Sequence, residues 1–173
     1  MKPVIAEYLG ALPAVNRKET FKDNKIEMRQ GIYKNEFTKQ QETPKASVFA
    51  FYNGDCKYDL RNNLLLSMTS QILDLVYTEK VREDEGGTYG VYVGGTLQKY
   101  PKEKAILQII FDTAPEKKEK LMKIIFGEID NITKTGPSEA NLNKVKEYML
   151  KKHTEDLKEN SYWLGIYRHE PHE

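Results

Sequence analysis

Apolar residues recur with a helical period at the start of the chain. Val4, Ile5, Tyr8, Leu9 and Leu12 share one stripe, and Pro13 stops the run. Residues 14–30 are highly charged and read as a connector. From about 31 the pattern changes: Ile32, Tyr33 and Phe37 predict a strand at a sheet edge, and Gln40 to Lys45, with Pro44, predicts a turn. Ala46 to Tyr52 (ASVFAFY) is rich in aromatic and β-branched residues and predicts a strand, ended by the turn chemistry of Asn53-Gly54. A long helix is predicted over roughly 58–84, with Leu60, Leu64, Met68, Ile72, Leu75 and Val76 on one face, widened by Leu65, Leu66 and Leu73. Asp55 or Asp59 is expected near its start, and Gly86-Gly87 at its end. Two alternating segments follow, Thr88 to Leu97 and Lys104 to Asp112, joined by a turn at Tyr100-Pro101-Lys102, so antiparallel pairing is the simplest topology. Pro115 opens another helix with core face Leu121, Met122, Ile124, Ile125, Ile129 and Ile132, broken at Thr135-Gly136-Pro137. Ser138 is a fitting N-cap for a last helix running to about Leu157, with Leu142, Val145, Met149 and Leu157 inward.

The order β-β-α-β-β-α-α predicts an α+β fold: an antiparallel sheet of about four or more strands with helices packed on one face. Residues 1–30 read as the tail of a preceding domain and a linker, and 31–173 as one α+β domain. A chain of 173 residues, 39% hydrophobic and 31% charged, has the balance of a globular domain rather than a disordered one. Lys+Arg number 27 against 26 Asp+Glu, so no excess charge draws the chain to nucleic acid or an anionic membrane. A single cysteine, Cys56, rules out an internal disulfide framework and leaves the compartment open. No run approaches the roughly 18 apolar residues of a membrane span, and the N-terminus lacks a signal-peptide pattern.

Much catalytic chemistry is missing. The three histidines are His153, His169 and His172, and neither helical zinc-peptidase spacing, His-Glu-x-x-His or His-x-x-Glu-His, occurs. Pro171 interrupts the segment His169-Glu-Pro-His172-Glu, which reads as a frayed polar tail rather than a metal site. Cys56 has no histidine near it in sequence and reads as a half-buried structural thiol rather than a nucleophile. The glycines at 86, 87, 90, 94 and 95 do not follow a strand and open a helix, so no phosphate or dinucleotide loop is present.

The informative stretch is Tyr77-Thr-Glu-Lys-Val-Arg82-Glu83-Asp-Glu-Gly86-Gly87-Thr-Tyr89-Gly-Val91-Tyr-Val93. A helix ends in charge, turns on glycine and enters a strand through a tyrosine. Here the sequence resembles the pitrilysin/insulinase family of zinc peptidases (peptidase family M16), whose pattern is Leu/Val-Arg-Glu-x-x-Gly-x-x-Tyr-x-Val. The Asn-Gly-Asp turn and Tyr-Asp pair before the long helix, Pro101, Phe111-Asp-Thr-Ala-Pro115-Glu, Gly136-Pro137-Ser138…Leu142, Val145-Lys146-Glu147 and Tyr162-Trp163 extend the likeness over nearly all of 31–165. Asp84-Glu85 makes the turn more acidic than the pattern requires.

The resemblance implies a domain of the mitochondrial-processing-peptidase type, C-terminal and non-catalytic, in a two-half metallopeptidase that closes around a chamber. It implies zinc held by the N-terminal half, and no metal and no catalytic residue in this chain alone. The implied partners are the zinc-bearing half, expected on the same polypeptide, and a peptide substrate. By motif, the arginine and tyrosine that reach substrate in this family map onto Arg82 and Tyr89. A phenol or guanidinium aimed at the oxyanion of peptide hydrolysis lowers its barrier. Against that, Arg82 can simply neutralise the helix end or pair with Glu79 or Glu83, and Tyr89 can be an ordinary sheet residue. A scaffold module of the same fold and an independent peptide-binding domain remain alternatives at this level.

Overall fold

The computed structural model describes residues 2–13, 20, 22–83 and 88–169. The chain divides into two compact units, Met1–Gly31 and Ile32–Glu173. The first holds helix α1 (Lys2–Tyr8), in which no residue is buried. The apolar stripe read from the sequence is there, but Val4, Ile5, Tyr8, Leu9 and Leu12 are all exposed.

The second unit runs β1 (Ala46–Asp55), α2 (Leu60–Tyr77), a π-helical turn (Thr78–Glu83), β2 (Thr88–Gln98), β3 (Lys104–Thr113), a 3₁₀ turn (Pro115–Lys117), α3 (Lys118–Thr135), α4 (Glu139–Asp156) and α5 (Asn160–His169). The strands form one antiparallel sheet in the order β1-β3-β2. Its inner face carries Val48 and Ala50 of β1, Val91 and Val93 of β2, and Leu107, Ile109 and Phe111 of β3. Leu73 and Tyr77 of α2, Val81 of the π-turn, and Leu121 and Ile125 of α3 close over it. A smaller cluster joins Ile72 and Val76 of α2 to Val145 of α4, with Leu142 and Met149 alongside. The α+β layering expected from the sequence is therefore present.

Four details differ from that expectation. The described residues contain three strands, fewer than four, because Ile32, Tyr33 and Phe37 lie in a segment without regular structure and stand exposed. A strand needs a partner for its backbone groups; here the segment is tied down instead by Glu36, which pairs with Lys118 at 2.8 Å. Asn53-Gly54 does not end β1, since β3 supplies partners as far as Asp55, opposite Lys104. The long helix starts at Leu60, where Asp59 caps it by accepting the Asn62 backbone N–H at 2.8 Å, and gives way to the π-turn after Tyr77. Leu60, Leu64, Leu65 and Leu157 are exposed rather than core. The expected N-cap of α4 is present: Ser138 accepts from the Asn141 N–H at 3.2 Å. Among the described residues, no helix is long and apolar enough to cross a membrane.

Candidate functional site

The sequence points to the corner between α2 and β2. Two anchors fix its helical side. Tyr77 is buried and its hydroxyl donates to the Ile125 carbonyl of α3 at 3.0 Å. One turn later Val81 is 1% exposed and belongs to the main core. Between them Lys80 reaches out of the turn to the Glu128 carboxylate of α3 at 2.5 Å. The π-helical winding at Thr78–Glu83 widens the turn while Val81 stays in the core. Such winding is uncommon and concentrates at functional positions. Arg82 follows the buried Val81 directly, so its backbone has a rigid base.

The strand side carries a second irregularity. Thr88 pairs with Thr113 and Val91 with Phe111, so Tyr89 and Gly90 together stand opposite Asp112. This is a β-bulge, and Gly90 takes φ +140°, a conformation that side-chain-bearing residues rarely adopt. The alternation that turns Val91 and Val93 inward is thereby broken before Tyr89. Bulges of this kind are common next to active sites, where they re-aim a side chain. The sequence showed Gly90 but not the bulge. The turn joining the two sides, 84–87, with the expected glycine stop at Gly86-Gly87 and the acidic pair Asp84-Glu85, lies outside the described residues, and so do the side chains of Arg82 and Tyr89.

Sequence reasoning also passed over Tyr77, Lys80, Val81 and Glu128. Tyr77 and Val81 continue the helical stripe of Leu73 at four-residue steps; the charged neighbours Glu79, Lys80 and Arg82 hid it. Beside the turn runs an open groove lined by Lys80, Lys123, Ile124, Gly127 and Glu128. Burial, with smaller contributions from Tyr52 and Glu128, pushes the Tyr77 phenol far above its ordinary range. Burial and Asp130 likewise raise Tyr52. Both are neutral at any physiological pH, and Tyr77 acts as a fixed hydrogen-bond donor rather than a proton carrier.

Among the described residues, no group of three or more His, Cys, Asp and Glu side chains is placed to hold a metal ion. His153 lies against Tyr162 of α5, ring centroids 5.8 Å apart, with Nδ1 3.4 Å from the hydroxyl. The tail 170–173 falls outside the described residues. Cys56 is half-buried just beyond β1, its backbone N–H donating to the Glu103 carbonyl at 3.3 Å and its Sγ 3.8 Å from the Lys57 carbonyl oxygen.

Residues 1–149 match the family model described as the peptidase M16 inactive domain. The chain belongs to this family. Solved structures agree with the fold of the M16 inactive domain. An M16 inactive domain from Pseudomonas fluorescens is 25% identical, with a TM-score of 0.60, over 72% of this chain and 30% of that one. The periplasmic protease PqqL from Escherichia coli is 18% identical, with a TM-score of 0.62, over 71% of this chain and 14% of that one. The ferredoxin protease FusC, solved in complex with Arabidopsis ferredoxin, is 14% identical, with a TM-score of 0.58, over 68% and 13%. The matched region is thus less than a third of each of these longer chains. No curated protein matches.

Proposed function

We propose that this M16 inactive domain closes the chamber of a zinc peptidase and lends Arg82 and Tyr89 to the substrate at a metal held by another domain. In this reading the zinc-bearing half lies on the same polypeptide, the substrate is a peptide, and residues 1–30 lead in from a preceding domain. The observation that supports it most is the corner itself, in a family whose own description is inactive. Two backbone irregularities, a π-turn and a bulge, flank one short turn, and each contains one of the two residues the motif singles out. Backbone departures cost free energy and persist where position matters more than regularity. During hydrolysis a peptide carbonyl becomes an oxyanion. A guanidinium fork and a phenol O–H suit that developing charge without any metal ligand of their own.

In the full-length protein, Arg82→Ala and Tyr89→Phe are each expected to lower kcat/KM on the order of 10²-fold, with bound zinc unchanged by metal analysis. Unaltered kcat/KM in both variants would overturn the roles and leave the domain a scaffold.

A further inference from the structure

We propose that the Lys80–Glu128 ion pair positions Arg82: it fixes the π-helical turn against α3 and so sets where the turn delivers the arginine. The helix and its turn are tied to α3 at two levels. The Tyr77 hydroxyl donates to the Ile125 carbonyl at 3.0 Å, and Lys80 Nζ donates to Glu128 Oε1 at 2.5 Å. Both ties span the same 48 positions of sequence. Three residues along the turn therefore match three along α3, and Ile125 and Glu128 are neighbours on one side of that helix. One tie would leave the turn free to pivot about it. A second in the same register removes that freedom. Val81, between Lys80 and Arg82, is held in the core.

The pair is poorly suited to a purely stabilising role. The Lys80 side chain is 48% exposed, and an ion pair with so wet a partner adds little to global stability. Glu128 differs: only 15% of its side chain is exposed, and a carboxylate so covered needs a cation beside it. Lys123 lines the same groove, but it stands five residues from Glu128 on α3, off the spacing at which helical side chains meet. The cation comes from the turn instead, so the winding of Thr78–Glu83 and the covering of Glu128 depend on each other. The tie falls two residues before Arg82. Lys80 and Glu128 are thus positioning residues: they touch no reacting group and act by holding the backbone that carries one. Their effect on catalysis rests on the role proposed above for Arg82; the latch itself does not.

In the full-length protein, Lys80→Met and Glu128→Gln are each expected to lower kcat/KM about tenfold, chiefly through kcat, with bound zinc unchanged by metal analysis. Lys80→Arg, which keeps a charged donor, should stay within about twofold of the parent. The two neutral substitutions together should cost no more than one alone, and neither should cost anything further once Arg82 is alanine. A general loss of stability would instead lower activity in every background alike. If Arg82→Ala lowers kcat/KM while Lys80→Met and Glu128→Gln do not, or if their losses add to it, the positioning role is overturned and the role of Arg82 stands. If Arg82→Ala is silent, the earlier reading falls, and the latch is judged by hydrogen exchange of the same full-length variants. Lys80→Met should then speed exchange of the amides at 78–83 at least about tenfold while those of α3 are unchanged. Faster exchange confined to the turn supports the latch, and unaltered exchange overturns it.

Discussion

Tyr77 shows how one side chain can serve the core and the corner together. Its ring fills the space between α2, α3 and β3, and its hydroxyl ties α2 to Ile125 just before the π-turn. Tyr77→Phe keeps the ring and loses the tie. A carbonyl has two lone pairs and the Ile125 oxygen sits within a helix, so the expected cost is modest, about 1 kcal/mol, read from urea unfolding. The same residue sets an alkaline limit. Its folded pKa is raised, so its contribution is intact below the unfolded tyrosine pKa of about 10 and declines as pH rises above that value. Tyr77→Phe is expected to flatten the loss of stability on the alkaline side. Asp112 works in the opposite direction. The Ser47 hydroxyl, then Lys45, hold its carboxyl below the usual range. Its contribution is present above the unfolded aspartate pKa of about 4 and is lost as pH falls through the lower folded value. Asp112→Asn should therefore lower the urea midpoint at neutral pH and leave it nearly unchanged at low pH, flattening its acid dependence. Sequence patterning found Leu73, Ile109, Phe111, Leu121 and Ile125, because each sits in an unbroken period. It missed Val81 because charge surrounds it, and it misplaced Leu60, Leu64, Leu65 and Leu157 because periodicity does not reveal which turns of a helix have a partner.

At the scale of elements, strands 88–98 and 104–113 and the helix from Ser138 were legible from alternation, turn residues and a capping serine. The strand expected at 32–37 was not formed, since a β-prone run without a neighbour has no hydrogen-bond partners. How closely α2 approaches β2 was also hidden, because it depends on a residue with no side chain. A Cβ on Gly95 would lie 2.6 Å from Ser70 Oγ and 2.7 Å from Leu66 Cγ. Gly95→Ala must therefore push α2 off the sheet, at a cost of roughly 1–3 kcal/mol. The shift should be visible as a lower urea midpoint with an unchanged m-value. Ser138→Ala, which removes the cap of α4 without touching the sheet, is expected to cost about 1 kcal/mol by the same measurement.

For the molecule as a whole, the family and the layered fold could be read from motifs spread over the chain, and the loss of the zinc spacing from three histidines set wrongly for it. The isolated chain is expected to bind no stoichiometric zinc and to leave peptides uncut; one tight zinc per chain by metal analysis would contradict this. What no pattern of residue types could disclose is the extra residue in β2. Because Tyr89 and Gly90 share a single partner position, the strand can be lengthened or shortened by one before Val91 without turning Val91 and Val93 out of the core. The tip of the corner can thus drift in sequence and reach while the packing behind it stays the same, and relatives that differ in length here should still superpose from Val91 onward.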